Sequence, residues 1–259
     1  MKYANRFVFY SKTDDNPYID QTYIQQLRRD MSPKEAQRYL DGEWIEISGE
    51  VIYSEYRSER QYLRDKVYKI DPHYPVVLTW DFNIAENKPM SALALQYIQD
   101  SFHVFAEVII DGGRTADTVD EFHERGLLRP DFNYIICGDA AGKHRDTRSL
   151  RSDYDIILKA LRDLNLNVEY QVPPANPPIR LRHNRVNAYC LNALGETRLY
   201  LYQGCATLDE GLRLTKLKPG ANYIEDDSKR YQHCTTAAGY AVVMLTQQQQ
   251  RQKQGTREL

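Results

Sequence analysis

From Pro75 onward the sequence predicts a mixed α/β fold. Three observations carry that expectation. The runs Val76 to Trp80, Ser91 to Ile98 and Phe102 to Ile110 are apolar, β-branched and aromatic, and the last two are joined by the polar turn Gln99-Asp100-Ser101, so together they form a three-strand meander. A helix-period segment follows, and after it comes a further strand-like run, Tyr134 to Gly138. The first and the last of these runs each end in an aspartate, Asp81 and Asp139.

The elements follow in chain order. Residues 1–60 read as an extension. Asn16-Pro17 is a turn, Asp20 caps a helix carrying Tyr23, Ile24 and Leu27, and Ser32-Pro33 with Glu35 caps a second that ends at Leu40-Asp41-Gly42. Glu43 to Ile47 alternates as a strand, and Gly49-Glu50 turns it into Val51, Ile52 and Tyr53, a hairpin. After the meander, Thr115 caps a helix with Val119, Phe122 and His123 on one face, which stops near Gly126. Ser152 is a good N-cap for Tyr154 to Leu164, whose apolar face carries Ile156, Ile157, Ala160 and Leu161. Val168 to Val172 is expected to be a strand. The six residues PPANPP before Ile179 are a stiff connection, because proline neither donates to a ladder nor continues a helix. A helix through Val186, Tyr189, Cys190 and Leu194, a strand Leu199 to Tyr202, and a last helix from about Tyr231 to Thr246 complete the set. Residues 247–259, QQQQRQKQGTREL, hold too few apolar residues to pack and are expected to be a disordered tail.

A carboxylate at the end of a buried strand lies where a sheet stops and a site can begin. If the two strands are neighbours, Asp81 and Asp139 converge, repel, and gain from a divalent cation held between hard oxygen ligands, magnesium or manganese. Taken singly, each aspartate is more readily read as the start of a turn.

Composition narrows the function classes. The 259 residues suit one large domain, or a domain plus an extension, and a formal charge of -2 advertises no global polyanion partner. Any nucleic-acid surface must be local. Cys137, Cys190, Cys205 and Cys234 form no CxxC pair and read as reduced thiols. No signal peptide or membrane-length apolar run is present, so a membrane role is not expected. Gly138 to Lys143 superficially resembles a phosphate loop, but Cys137 stands where the first glycine is required and His144 where Ser or Thr is required. ATP hydrolysis is therefore not expected of this chain.

The order of meander, helix and strand bearing a second acid resembles the ribonuclease H-like fold: three antiparallel strands, then parallel strands, flanked by helices. More specific words resemble the large terminase subunits of tailed bacteriophages, podovirus-like branch. They are Asn16-Pro17-Tyr18; the string Tyr39-Leu40-Asp41-Gly42-Glu43-Trp44; Gly138-Asp139-Ala140-Ala141-Gly142-Lys143-His144-Arg145 with Ser152-Asp153-Tyr154-Asp155; and His233 with Ala237, Gly239 and Tyr240. The resemblance implies that residues 1–60 are the segment joining ATPase and nuclease domains and that 61–246 are the nuclease. It also implies a metal-dependent endonuclease that cuts concatemeric viral DNA during packaging, in the host cytoplasm at the assembling procapsid. Double-stranded DNA, the ATPase domain, the small terminase subunit and the portal are the implied partners. Magnesium or manganese is the implied cofactor, as two ions about 4 Å apart that serve both ends of an in-line displacement.

The sequence departs from the family where the closing motif has Asp and this chain has Thr236. The third metal ligand expected beside Asp81 and Asp139 is then His233, with Asp226 or Asp227 as alternatives. Lys143, Arg145, Arg148 and Arg151 crowd the loop after Asp139 and are expected to grip DNA phosphates, while Arg180, Arg182, His183 and Arg185 form a second basic cluster. Two competing readings remain: another ribonuclease H-like enzyme such as a junction resolvase, and a non-catalytic DNA- or portal-binding module whose site has decayed at Thr236.

Overall fold

The computed structural model describes residues 11–43, 51–83, 88–145, 150–220 and 223–255. The strand expected over Glu43 to Ile47, with the turn of its hairpin, falls largely outside them, as does Arg148.

Helices α1 (Gln21–Asp30) and α2 (Pro33–Tyr39) start where the caps predict: the Thr22 N–H donates to Asp20 Oδ1 at 2.9 Å, and Ser32 and Glu35 bond reciprocally. A short helix α3 (Ser58–Gln61) and strand β1 (Tyr62–Leu63) follow, neither of them signalled by periodicity. The meander is β2 (Val76–Asp81), β3 (Met90–Ile98) and β4 (Ser101–Ile110). Then come α4 (Thr115–Glu124), β5 (Asn133–Gly138), α5 (Asp153–Asp163), β6 (Asn167–Tyr170), α6 (Ile179–Cys190), β7 (Leu199–Tyr202), α7 (Ala206–Leu214) and α8 (Arg230–Gly255). The N-cap of α4 is Arg114 rather than Thr115, whose hydroxyl instead bonds Asp153, and His123 points to solvent, one step off the buried Val119–Phe122 line. Helix α6 ends before Leu194. Helix α8 runs past Thr246 to Gly255 because glutamine, lysine and arginine are good helix formers, and the Gln248 amide donates to Gln171 at 2.7 Å.

Seven described strands make one mixed sheet in the order β1-β7-β4-β3-β2-β5-β6. β2 pairs antiparallel with β3 and parallel with β5, in register from Val76 opposite Tyr134 to Trp80 opposite Gly138. Alternation then sorts side chains between two layers. Val76, Leu78, Trp80, Tyr134 and Ile136 pack with Phe122, Ile157 and Leu161 of α4 and α5. Val77, Ile135 and Cys137 pack on the other face with Val186 of α6, Leu208 of α7 and Ala237 and Ala241 of α8. Thr79 shares that second face, its hydroxyl donating to the Ala237 carbonyl at 2.9 Å. All four cysteines are buried and free, and no described helix is long and apolar enough to cross a membrane.

Gly138 is the tightest point of the framework. Its φ is +133°, and a Cβ there would lie 2.5 Å from the Trp80 carbonyl oxygen and 2.6 Å from the Trp80 nitrogen, both backbone. Gly138→Ala is expected to cost about 2–5 kcal/mol from backbone strain plus overpacking, read as a lower urea midpoint. Wild-type stability in that variant would show that the strand ends are not held this closely.

Candidate functional site

Side-chain parity decides which way Asp81 faces. Residues 77, 79 and 81 share the α8 side of β2, so Asp81 continues that line toward α8, while Asp139 stands one residue past the end of β5. The backbone locks them side by side, with Asp139 N–H donating to the Trp80 carbonyl at 2.9 Å. Both are buried, at 6% and 8% exposure. The two predicted acids are therefore adjacent.

Each carboxylate commits one oxygen to the protein. Asp81 Oδ2 accepts from Asn83 Nδ2 at 2.7 Å and from His233 Nδ1 at 2.9 Å. His233 Nδ1 also lies 3.0 Å from Asn83 Nδ2; with Asp81 ionised, and so only accepting, the His233 proton is on Nδ1 and the Nε2 lone pair points away from Asp81. Asp139 Oδ1 accepts from the Ala141 N–H at 2.8 Å, at the start of a short 3-10 turn, and from Asn176 Nδ2 at 2.7 Å. Asn176 in turn accepts from Ala140 N–H at 2.8 Å, and the Tyr154 hydroxyl donates to the Asp139 carbonyl at 2.9 Å. Asp81 Oδ1 and Asp139 Oδ2 have no hydrogen-bond partner among the described residues. Burial pushes the Asp81 carboxyl above its usual range, and the Asp139 charge adds to that against the bond and charge of His233.

A cleft of about 370 Å³ opens beside Asp81; Asp139 is not among its lining residues. Asp81, Asn83 and Asn176 line it from the sheet side, and Gln232, His233, Thr236 and Tyr240 from α8. Five buried side-chain polar atoms lack a partner among the described residues, and three of them, Arg182 Nε, Gln232 Oε1 and His233 Nε2, belong to residues of this cleft. Native interiors rarely keep such atoms unless a ligand or water meets them. No three described His, Cys, Asp or Glu side chains gather closely enough to hold a metal ion. Asp81 and Asp139, each with an uncommitted oxygen, are nonetheless the hard oxygen donors that suit a divalent cation.

The other expected residues divide. Thr236 is buried, and its hydroxyl accepts from Gln232 Nε2 at 2.8 Å. Asp227 lines the cleft but is clamped by Lys218 at 2.7 Å and Lys88 at 2.5 Å, which hold its carboxyl well below the usual range. Asp226 does not line the cleft; it caps Ser228 N–H at 3.1 Å. Lys143 is turned inward, donating to the Val172 carbonyl at 2.8 Å with its ammonium 5.8 Å from the Tyr170 ring centre, while Arg145 and Arg151 are exposed.

Half of the second basic cluster is not surface: Arg180 is exposed and Arg185 half-buried, but the other two turn inward. Arg182 and His183 are buried and both engage Glu225, which is itself 7% exposed: Arg182 Nη2 donates to Oε2, and His183 Nε2 donates to Oε1 at 2.7 Å. The Tyr223 hydroxyl satisfies His183 Nδ1 at 3.2 Å. The Arg182 stem lies against Gly239, where a Cβ would come within 2.3 Å of Cγ. The signal was available, since Arg182, Val186, Tyr189 and Cys190 follow the helical period of a buried face. Glu225, Asn83, Asn176 and Gln232 carried no such pattern.

This network ties stability to pH. Burial pushes the His183 imidazole below its ordinary 6.5, outweighing the bond to Glu225. Burial alone would raise Glu225, but the His183 bond and the Arg182 charge hold it below 4.5. In both cases the unfolded chain binds protons first, so stability is full at neutral pH and drains as pH falls, through the His183 window below 6.5 and then the Glu225 window below 4.5. Melting temperatures measured from pH 8 to 4 should decline below about pH 6.5, less steeply in His183→Gln. An unchanged slope in that variant would exclude His183 as the source.

No protein-family model matches the sequence, and no curated protein matches it. Among solved structures, the chain superposes on the large terminase of a thermophilic bacteriophage, in complex with ATP-gamma-S, with a TM-score of 0.65 and 13% identity over 91% of this chain and 55% of that one. The chain thus spans just over half of that protein's length. It also superposes on the P22 large terminase nuclease domain, with a TM-score of 0.50 and 10% identity over 76% of this chain and 92% of that domain. The α/β mixed sheet is the ribonuclease H-like fold of these neighbours.

Proposed function

We propose that this chain is a divalent-cation-dependent endodeoxyribonuclease, the nuclease part of a phage large terminase that cuts concatemeric viral DNA during packaging at the procapsid in the host cytoplasm. The observation that carries the reading is the register-locked pair of buried carboxylates, Asp81 and Asp139, each with one oxygen uncommitted, Asp81 on the wall of a polar cleft. The likeness to a P22 terminase nuclease domain supports the choice of substrate and setting.

In this reading Asp81 and Asp139 hold the cations, with His233, beside Asp81, as the proposed third ligand. Two magnesium or manganese ions there would activate the attacking water and stabilise the leaving oxygen. Asn83 and Asn176 fix the orientation of the two carboxylates, and His233 is held in one tautomer by Asp81. Arg145 and Arg151, exposed on the loop after Asp139, meet DNA phosphates without reading bases; Arg148 belongs to the same proposed grip. Lys143 braces that loop against β6 rather than reaching out. The ATPase domain, the small terminase subunit and the portal are the proposed partners.

Supercoiled plasmid incubated with manganese tests the reading. Nicked and linear products are expected, and chelator should abolish them. If DNA is bound but not cut, the non-catalytic reading replaces this one, and Thr236 in place of an acid is the observation that favours it.

A further inference from the structure

Three ways of supplying the third acidic ligand fail on geometry. Asp227 is neutralised by two lysines, Asp226 lies outside the cleft, and Glu225 is consumed by Arg182 and His183. Among the described residues no three His, Cys, Asp or Glu side chains gather closely enough to hold a metal ion, Asp81, Asp139 and His233 included. The class of ligand left is a neutral oxygen.

We infer that the side-chain carbonyl oxygen of Gln232 completes the cation site in place of the carboxylate absent at Thr236, an inference that rests on reading Asp81 and Asp139 as cation ligands. Gln232 is 3% exposed, lines the same cleft as Asp81 and His233, and its Oε1 is buried with no partner among the described residues. The amide orientation follows from its neighbours. Nε2 donates to Thr236 Oγ1 at 2.8 Å and faces the Glu225 carboxylate, which it helps to keep ionised, so the acceptor end is the one left over. Positions 232 and 236 are one helical turn apart on α8 and stack on the same face. Thr236 therefore acts through Gln232: its hydroxyl anchors the amide nitrogen, and the longer side chain from one turn earlier brings an oxygen to the cleft. Amide carbonyl oxygens are ordinary ligands for hard divalent ions. A buried acceptor with no partner among the described residues, on a residue of the cleft that Asp81 also lines, is one that a cation satisfies and a phosphate does not.

The test is manganese binding itself, by isothermal titration and by loss of the free-ion EPR signal, on the full chain. Wild type is expected to bind, and Asp81→Asn to lose binding. Gln232→Leu should weaken affinity by at least the roughly 10- to 100-fold typical of losing even an outer partner of a metal site, with its metal-free melting temperature unchanged or raised. Gln232→Glu, which adds charge to the same oxygen position, should bind manganese more tightly than wild type. It should also melt lower without metal, and rise further on adding it. A purely structural Gln232 predicts neither change. If Gln232→Leu and Gln232→Glu both bind as wild type does while Asp81→Asn does not, Gln232 is no ligand and the cation reading of the acids stands. If wild type takes up no manganese, that reading fails and the inference with it.

Discussion

Asp81→Asn is expected to fold normally, to bind no manganese, and to cut plasmid at least about 1,000-fold more slowly than wild type, the loss that several kcal/mol of metal-centred stabilisation implies. The substitution is nearly isosteric. Its carbonyl oxygen can take the place of Oδ2, accepting from Asn83 and His233, and this puts the NH2 group where Oδ1 was left uncommitted. A donor then faces the cation position. Burial already works against ionisation at this site, so removing the charge should leave the metal-free melting temperature unchanged or higher. Loss of activity together with loss of stability would point instead to a structural role, and cutting at the wild-type rate would remove Asp81 from the reaction. Asp139→Asn should behave alike, since Asn176 and Ala141 hold Oδ1 in the same way.

The second large effect is structural. Glu225→Leu leaves the Arg182 guanidinium buried with no counter-ion, and breaking a buried pair from one side costs about 3–5 kcal/mol. For a chain of this size that lowers the melting temperature by roughly 10 °C. Replacing both partners, Glu225→Leu with Arg182→Met, should recover most of the loss, because an apolar pair of similar volume needs no compensation and the methionine keeps a flexible stem against Gly239. Urea unfolding of the two single variants and the double variant measures the coupling. If the losses simply add, the residues do not act as a pair.

Sequence legibility followed the range of the forces involved. The meander, the strand from Tyr134, the caps at Asp20, Ser32 and Ser152, and the positions of Asp81 and Asp139 were all readable, because alternation and capping act over a few residues. The pieces β1, α3 and α7 were not, since they are short and are placed by packing. The phase of α6 lies in the sequence but reads there as surface charge. A basic run on a buried face is informative only when its carboxylate partner is known, and Glu225 is more than forty residues away.

By itself, then, the sequence determined that two aspartates end two buried strands and that a histidine opens the last helix. Only the tertiary structure decided that the strands are neighbours in register and that Asp81 meets α8 at His233. It also decided which oxygen each acid leaves uncommitted. Strand pairing and helix packing bring together residues separated by tens to more than a hundred positions, and no local periodicity encodes that separation. Asp81 meets His233 across 152 residues of chain. The orphaned oxygen of Gln232 exists only because Thr236 and Glu225 occupy the other end of its amide.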